Sequence, residues 1–334
     1  MTKVGFIGTG ERSISHMSTL AQISDVEIVG IADINEETAR TSLEKANTRS
    51  GDDIEPISPT IFSDYRAMID AVDPDCLYLC LPPFVHHDFD HPIIDLGKPI
   101  FFEKPIAVEL DKAKEIAAHI HEKKIINAVG YQKRCSPMIS KAQELLAGLP
   151  IGMVMSIRLS GLPGQPWWRV QHQSGGMLVE QHTHAVDMMR VLCGEIETVY
   201  AVGNTELLKD VPNLDIFDVN ACTVRFVNGA PGTIGNSCAA AFGSDIFPGH
   251  LVHVVTQDMM LSVQTDKLVI RRTDSDIETI AGSSNNDDTL TINQNFIEAV
   301  RSENQDNIIC DYDDGLITFA VTYACQKSAE TNQV

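Results

Sequence analysis

The chain has 334 residues, 43% of them hydrophobic, and 46 acidic against 25 basic side chains give a formal charge of −21. This length suggests two domains with a core each, and acidic charge spread in small clusters such as Asp52-Asp53 and Asp287-Asp288 argues against nucleic-acid or anionic-membrane partners, which want basic patches. The N-terminus runs straight into a strand-like segment and no apolar stretch reaches spanning length, so a cytoplasmic protein without signal peptide or membrane segment is expected.

The first element is the run Val4-Gly5-Phe6-Ile7, which turns through Gly8-Thr9-Gly10 into Glu11-Arg12-Ser13-Ile14-Ser15-His16. Gly-x-Gly between a strand and a helix lets the backbone approach a pyrophosphate, which then sits on the free amides of the helix N-terminus. Ser13 stands where a third glycine is usual, and a residue that small still lets helix and strand pack closely. A second strand, Glu27 to Ala32, ends at Asp33, about twenty residues beyond the turn, where a dinucleotide fold places the carboxylate that binds the adenosine ribose. Asp33 would repel a 2′-phosphate and no arginine follows at Ile34 or Asn35, so NAD is favoured over NADP. A strand-end turn or helix cap is the competing reading of Asp33.

Strand and helix patterns then alternate. Ser63-Asp64-Tyr65 leads a short helix ending near Asp70, and Asp73-Pro74-Asp75 turns into the buried strand Cys76 to Leu81, stopped by Pro82-Pro83. A helix from about His87 to Leu96 stops at Gly97; a strand ends at Glu103, with Lys104 and Pro105 after it; a helix Asp111 to Lys123 and a strand Ile125 to Val129 follow. This alternation describes a doubly wound parallel sheet over residues 1–128. Lys104 would then lie at the carboxyl end of a strand, where open α/β sheets bind ligands.

Beyond residue 128 the pattern changes. Ile151 to Leu159, Val199 to Gly203, Asn220 to Phe226, Gly232 to Ala239, His250 to Thr256, Met259 to Val263 and Lys267 to Arg272 are strand candidates, and Asn228-Gly229 is a hairpin signal. One long helix, roughly Leu178 to Cys193, interrupts them. Helices at about Thr289 to Arg301 and 313–330 close the chain, the last expected to pack between the domains, and Ser283 to Asp288 reads as a mobile loop. Residues 129–334 are thus an α+β domain with a large, mostly antiparallel open sheet. Eight cysteines, none in a Cys-x-x-Cys pair, read as small buried residues in a reducing compartment.

On the interrupting helix lies Gly175-Gly176-Met177-Leu178-Val179-Glu180-Gln181-His182-Thr183-His184-Ala185-Val186-Asp187. Helical spacing puts Glu180, His184 and, less directly, Asp187 on one face. His172 and His182 nearby fit no common metal motif, so no metal is expected.

Together with the opening turn and His16, the segments Asp64-Tyr65-Arg66, Leu81-Pro82-Pro83-Phe84-Val85-His86, Gly97-Lys98-Pro99 to Glu103-Lys104-Pro105 and Gly130-Tyr131-Gln132-Lys133-Arg134, this block resembles the Gfo/Idh/MocA (glucose-fructose oxidoreductase / inositol dehydrogenase) family over nearly the whole chain. The resemblance implies a nicotinamide-dependent oxidoreductase acting on a sugar, cyclitol or related polyol, and a homodimer or homotetramer joined through the open sheet face. It assigns Lys104 to the reacting oxygen and His184 to general acid/base work beside it. It also puts Gly8, Gly10, Glu11, Arg12, Asp33, Leu81, Pro82, His86, Glu103 and Lys104 around the cofactor.

Many family members carry aspartate where this chain has Glu180, which leaves its contact open between a substrate hydroxyl, His184 and Lys104. His86 is either a nicotinamide neighbour or a surface residue at a helix start. Trp167-Trp168-Arg169 offers a stacking face and a guanidinium to a sugar, or packs a domain junction. Arg134 and Asp187 are substrate contacts or members of structural ion pairs. Two rival functions share these motifs: a glycosidase or lyase that uses bound NAD transiently, and a non-catalytic NAD-binding regulator, which would be expected to lose Lys104 or His184.

Overall fold

The structure, a computed structural model, describes residues 1–245, 249 and 251–334. The chain begins with β1 (Thr2–Ile7), α1 (Glu11–Leu20), β2 (Val26–Ala32), α2 (Glu36–Ser50), β3 (Thr60–Phe62), α3 (Tyr65–Val72), β4 (Cys76–Leu79), α4 (His86–Ile94), β5 (Ile100–Phe102), α5 (Leu110–Lys123) and β6 (Asn127–Val129). The six strands pair in parallel in the order β3-β2-β1-β4-β5-β6. Strands covered on both faces lose their polar alternation, and β4 and β5 are buried at every position. This is the doubly wound order, and the sequence of strands reverses between β1 and β4, a switch point beyond whose carboxyl ends ligands bind.

The expected elements are present with shifts of one to three residues at their ends. Two more, α2 and β3, gave weak patterns: α2 buries only Ala39, Ser42 and Ala46, too narrow a stripe to read as a helical period. Capping marks it better, because the Asn35 side chain accepts from the amides of Glu37 and Thr38.

The chain continues through α6 (Pro137–Leu146), β7 (Met153–Leu159), α7 (Gln171–Ser174), α8 (Gly176–Glu180), α9 (Thr183–Cys193), β8 (Ile196–Asn204), β9 (Val219–Phe226), β10 (Pro231–Ser237), β11 (Leu251–Val255), β12 (Met259–Val263), β13 (Lys267–Arg272), β14 (Glu278–Ala281), α10 (Asn285–Ser302) and α11 (Tyr312–Thr331). The strands form one sheet in the order β14-β13-β12-β11-β7-β10-β9-β8, antiparallel except between β7 and β10. β9 shows why only one face is covered: from Asn220 to Phe226 its residues alternate strictly between buried and exposed. The Asn228-Gly229 turn joins β9 to β10 with Gly229 at φ +88°. Of the expected strand from His250, the first residue lies outside the described residues.

The chain folds as two compact units, Met1–Ala107 with Asp111–Cys135 and Asn285–Leu316, and Val108–Leu110 with Ser136–Ser284 and Ile317–Val334. A cut in chain order at 128/129 therefore misses how α10 returns. That helix packs on α1, and Ile292, Phe296 and Ile297 enter the same core as Ile14, Met17 and Phe101. Residues 285–288, expected in a mobile loop, are the first turn of α10, fixed by a 2.9 Å ion pair from Lys133 Nζ to the buried Asp288. The acidic, amide-rich sequence that reads as a loop is what favours a helix N-terminus.

Candidate active site

The turn between β1 and α1 is built around Gly8, whose φ of +86° and whose hypothetical Cβ only 2.6 Å from the Cys80 carbonyl oxygen exclude a side chain. A Cβ at Gly10 would meet nothing within 4 Å, so the space above that residue is open to a ligand. Gly10 caps α1 without a side-chain hydrogen bond, leaving the first amides of the helix for an anion. Ser13 Oγ donates to the Gly10 carbonyl at 2.6 Å and steadies the loop from below.

At the tip of β2, Asp33 Oδ2 accepts from Thr9 N at 2.9 Å and Thr9 Oγ1 at 2.7 Å, and Oδ1 accepts from Asn35 N at 2.9 Å. The carboxylate is thus oriented by the glycine loop itself. Ile34 beside it is 93% exposed and offers no cation. Leu81 and Pro82 lie just beyond the end of β4, and His86, read as either a nicotinamide neighbour or a surface residue, is fully buried at the start of α4. Its Nδ1 is 3.1 Å from Asp90 Oδ1, while its Nε2 has no partner among the described residues.

Glu103 follows β5 and is buried with its charge. Its Oε1 accepts from Arg12 Nε at 2.9 Å and His16 Nε2 at 2.8 Å, and its Oε2 accepts from the Lys104 amide at 3.0 Å. Burial alone would raise its pKa, but Arg12 and then His16 outweigh that and hold it at about 2. His16 moves down because burial outweighs its bond to Glu103. Gly130 makes room for this carboxylate, since a Cβ there would stand 2.8 Å from the Glu103 carboxyl. Arg12 Nη2 remains buried without a partner among the described residues, whereas the exposed Glu11 carboxylate pairs with Arg49 at 2.8 Å. Lys104 comes next, half-buried beyond the carboxyl end of β5, with a cis bond to Pro105.

In the second unit, the single helix expected from Leu178 to Cys193 is two. α8 ends at Glu180, Gln181 and His182 form a joint in which the His182 amide reaches back to the Met177 carbonyl, and α9 restarts at Thr183. The four-residue step from Glu180 to His184 therefore crosses a break. Both side chains are buried. Glu180 accepts from Gln181 Nε2, and its charge acts on Arg158 from β7, whose Nη2 donates to Gln181 Oε1 at 2.7 Å. His182 bonds Ser156 Oγ at 2.8 Å, and because that hydroxyl donates to the Leu251 carbonyl, His182 must donate through Nε2. Its Nδ1, then an acceptor, has no donor among the described residues, and burial and then Arg158 push its pKa down to about 3.

Asp187 and Arg134 sit in ion pairs. Asp187 Oδ1 accepts from Thr318 Oγ1 at 2.8 Å and lies 4.0 Å from Arg190, while Arg134 is joined to Asp314. Trp167 and Trp168 stack edge to face at 5.5 Å within the short 3₁₀ turn Pro166–Arg169. Arg169 donates twice to the Pro163 carbonyl at 3.3 Å, and Trp168 Nε1 has no partner among the described residues.

Four polar residues were missed. Thr9 holds Asp33, and nothing in a residue between two glycines signals that. Arg158 was readable, because it follows Val154 and Ser156 on the inward register of β7, where an arginine is out of place. Asn236 pairs with Arg158 across β7 and β10 and with Asn220 across β10 and β9. Both asparagine amides are 2% exposed and have no partners among the described residues, so the inward sheet face carries two unsatisfied amides beside Arg158.

A six-stranded parallel sheet in this order, with an open glycine turn and a carboxylate fixed at the tip of β2, defines a dinucleotide-binding Rossmann protein. Residues 2–131 match the family described as "Oxidoreductase family, NAD-binding Rossmann fold" and residues 139–262 the "GFO/IDH/MocA C-terminal domain", and the chain belongs to this Gfo/Idh/MocA oxidoreductase family. It is 29% identical over 250 residues to the uncharacterized oxidoreductase YrbE of Bacillus subtilis (strain 168), spanning 73% of this chain and 70% of that protein. A myo-inositol 2-dehydrogenase of Thermotoga maritima is 24% identical over 245 residues, with the same two coverages of 73% and 70%. The fold superimposes on levoglucosan dehydrogenase in complex with NADH and levoglucosan with a TM-score of 0.83 at 20% identity, over 99% of this chain and 98% of the other.

Proposed function

We propose that the protein is an NAD-dependent dehydrogenase or reductase of a sugar, cyclitol or related polyol. One observation carries this reading: Gly8 follows β1 at once, and Leu81-Pro82 and Lys104 come within a few residues of the ends of β4 and β5, so an open phosphate cradle and an ammonium share the carboxyl edge of the sheet beside the switch point. The residues present fit the cofactor. The uncapped start of α1 and Arg12 Nη2 would take the pyrophosphate, Asp33 the ribose hydroxyls, and His86 Nε2 the nicotinamide end. When bound, NAD supplies a hydride acceptor.

Oxidation of an alcohol requires the hydroxyl proton to leave as the C–H bond delivers its hydride. Lys104 donates a hydrogen bond to the reacting oxygen and helps move its proton, which His184 takes up as general base in oxidation and returns as general acid in reduction. Glu180, with Arg158 behind it, recognises substrate hydroxyls, and Trp168 and Arg169 border them. The ion pairs of Asp187 and Arg134 favour a structural role for both. Eight free cysteines, seven of them buried, accord with a reducing cytoplasm, and a homo-oligomer follows from the family resemblance. No helix among the described residues is long and apolar enough to cross a membrane.

The test is a screen of free polyols, sugar acids and sugar nucleotides with NAD, read by NADH absorbance. At least one compound should yield net NADH. Turnover without net NADH would point to transient redox chemistry, and no turnover with any compound would remove the dehydrogenase reading.

A further inference from the structure

Away from the cofactor crevice, the first unit carries imidazoles on two neighbouring helices. α4 contributes His87 and His91, and α5 contributes Glu115 and His119; each pair is four residues apart and so shares a helix face. His87 Nε2 lies 3.1 Å from Glu115 Oε2, and one donor atom each of His87, His91 and Glu115 fall within 4.8 Å of one another. Two ligands on a tetrahedral ion with bonds of about 2.1 Å stand roughly 3.4 Å apart, close to the 3.1 Å between His87 and Glu115, with the His91 atom within 4.8 Å of both.

For His91 the hydrogen bonds select the tautomer that ligation through Nε2 needs. His119 Nε2 is 3.2 Å from Asp95 Oδ1, so it donates there and its Nδ1 is left an acceptor. His91 Nδ1, 2.8 Å from that atom, must then be the donor, which leaves the lone pair on His91 Nε2. His87 has a carboxylate at each ring nitrogen, Nε2 at 3.1 Å from Glu115 Oε2 and Nδ1 at 3.3 Å from Asp88 Oδ1, so an ion that displaces the proton between Nε2 and Glu115 leaves Nδ1 donating to Asp88. Behind the far nitrogen of His87 stands the Asp88 carboxylate, and behind that of His91 stands His119, itself held by Asp95; such outer partners orient a metal-bound histidine. The His87 side chain is 28% exposed, so an ion can reach it from solvent.

We propose that His87, His91 and Glu115 bind a divalent transition metal of the zinc class, with His119 and Asp95 orienting His91 and water completing the shell. Two imidazoles and one carboxylate suit Zn²⁺, Co²⁺ or Ni²⁺, not Mg²⁺ or Ca²⁺. Such an ion would tie α4 to α5 one residue from His86.

The experiment takes full-length protein without a polyhistidine tag, stripped with a chelator, and titrates Zn²⁺ in competition with a chromogenic chelator. One equivalent should bind, with affinity weakened about tenfold or more in His91→Ala and in Glu115→Gln, and also in Asp95→Asn, which removes no ligand. His172→Ala, in the second unit, should bind as the parent does. Co²⁺ should give the absorption of a low-coordinate site that Zn²⁺ displaces. NADH binding and circular dichroism of each variant check that it is folded. Absence of saturable Zn²⁺ binding, or binding unchanged in a folded His87→Ala/His91→Ala variant, overturns the proposal.

Discussion

The strand-end positions of Lys104 and Asp33 were legible because each stands at a fixed offset from a strongly patterned strand, and strand ends are where an α/β sheet does chemistry. Lys104→Ala should lower turnover about 10²- to 10⁴-fold, as loss of a positioned proton donor does, while NADH affinity measured by fluorescence stays near that of the parent. Retained turnover would remove Lys104 from the reaction. Asp33→Ala removes the charge that opposes a 2′-phosphate and frees Thr9, so the ratio of kcat/KM for NAD over NADP should fall; an unchanged ratio would end the ribose assignment. Glu103 shows what a sequence does not carry. It reads as a cofactor residue next to Lys104, yet its carboxylate is consumed by Arg12 and His16, 91 and 87 positions away, and only the folded sheet brings them together.

At the level of elements, the parallel sheet was readable from its alternating strands and helices, whereas the α8–α9 joint was not. Every residue from Thr183 to Arg190 is buried, so there is no polar face to show where the helical period is interrupted. The second sheet was legible because one face is open and alternation survives; β14 escaped, lying at the sheet edge without a buried residue. Gly130 is a test of how closely elements meet. It follows β6, and a methyl group there would press on the Glu103 carboxyl at 2.8 Å, with Arg12 and His16 fixed on the other side. Gly130→Ala should therefore destabilise the fold by about 1–3 kcal/mol, read by denaturant midpoint, because overpacking a charged and buried group leaves no cheap relaxation. An unchanged midpoint would mean that the Glu103 side chain can shift freely.

For the whole molecule, buried ionisable groups in both units dictate how it responds to acid. His182 has an ordinary pKa of 6.5 and a folded one of about 3, so below pH ~6.5 the unfolded chain binds a proton that the folded one refuses. Its stabilisation is complete above that pH and is lost as pH falls toward 3, at a limiting slope of about 1.4 kcal/mol per pH unit. His16, also shifted down, acts with the same sign in the first unit, and Glu103 adds to it between its ordinary 4.5 and its folded value of about 2. Asp90 opposes them, since burial raises its pKa and its protonated form suits the fold. Relief of the −21 net charge also opposes them, but it is diffuse and screened by salt, whereas the histidines are dry. Thermal stability at moderate salt should therefore decline as pH falls below 6.5. Both tryptophans lie in the second unit, so their fluorescence follows the unit that holds His182. His182→Gln keeps a donor for Ser156 but cannot titrate, and it should flatten the tryptophan-monitored decline between pH 6.5 and 3. A variant that declines as steeply as the parent would show that His182 is not the group being protonated.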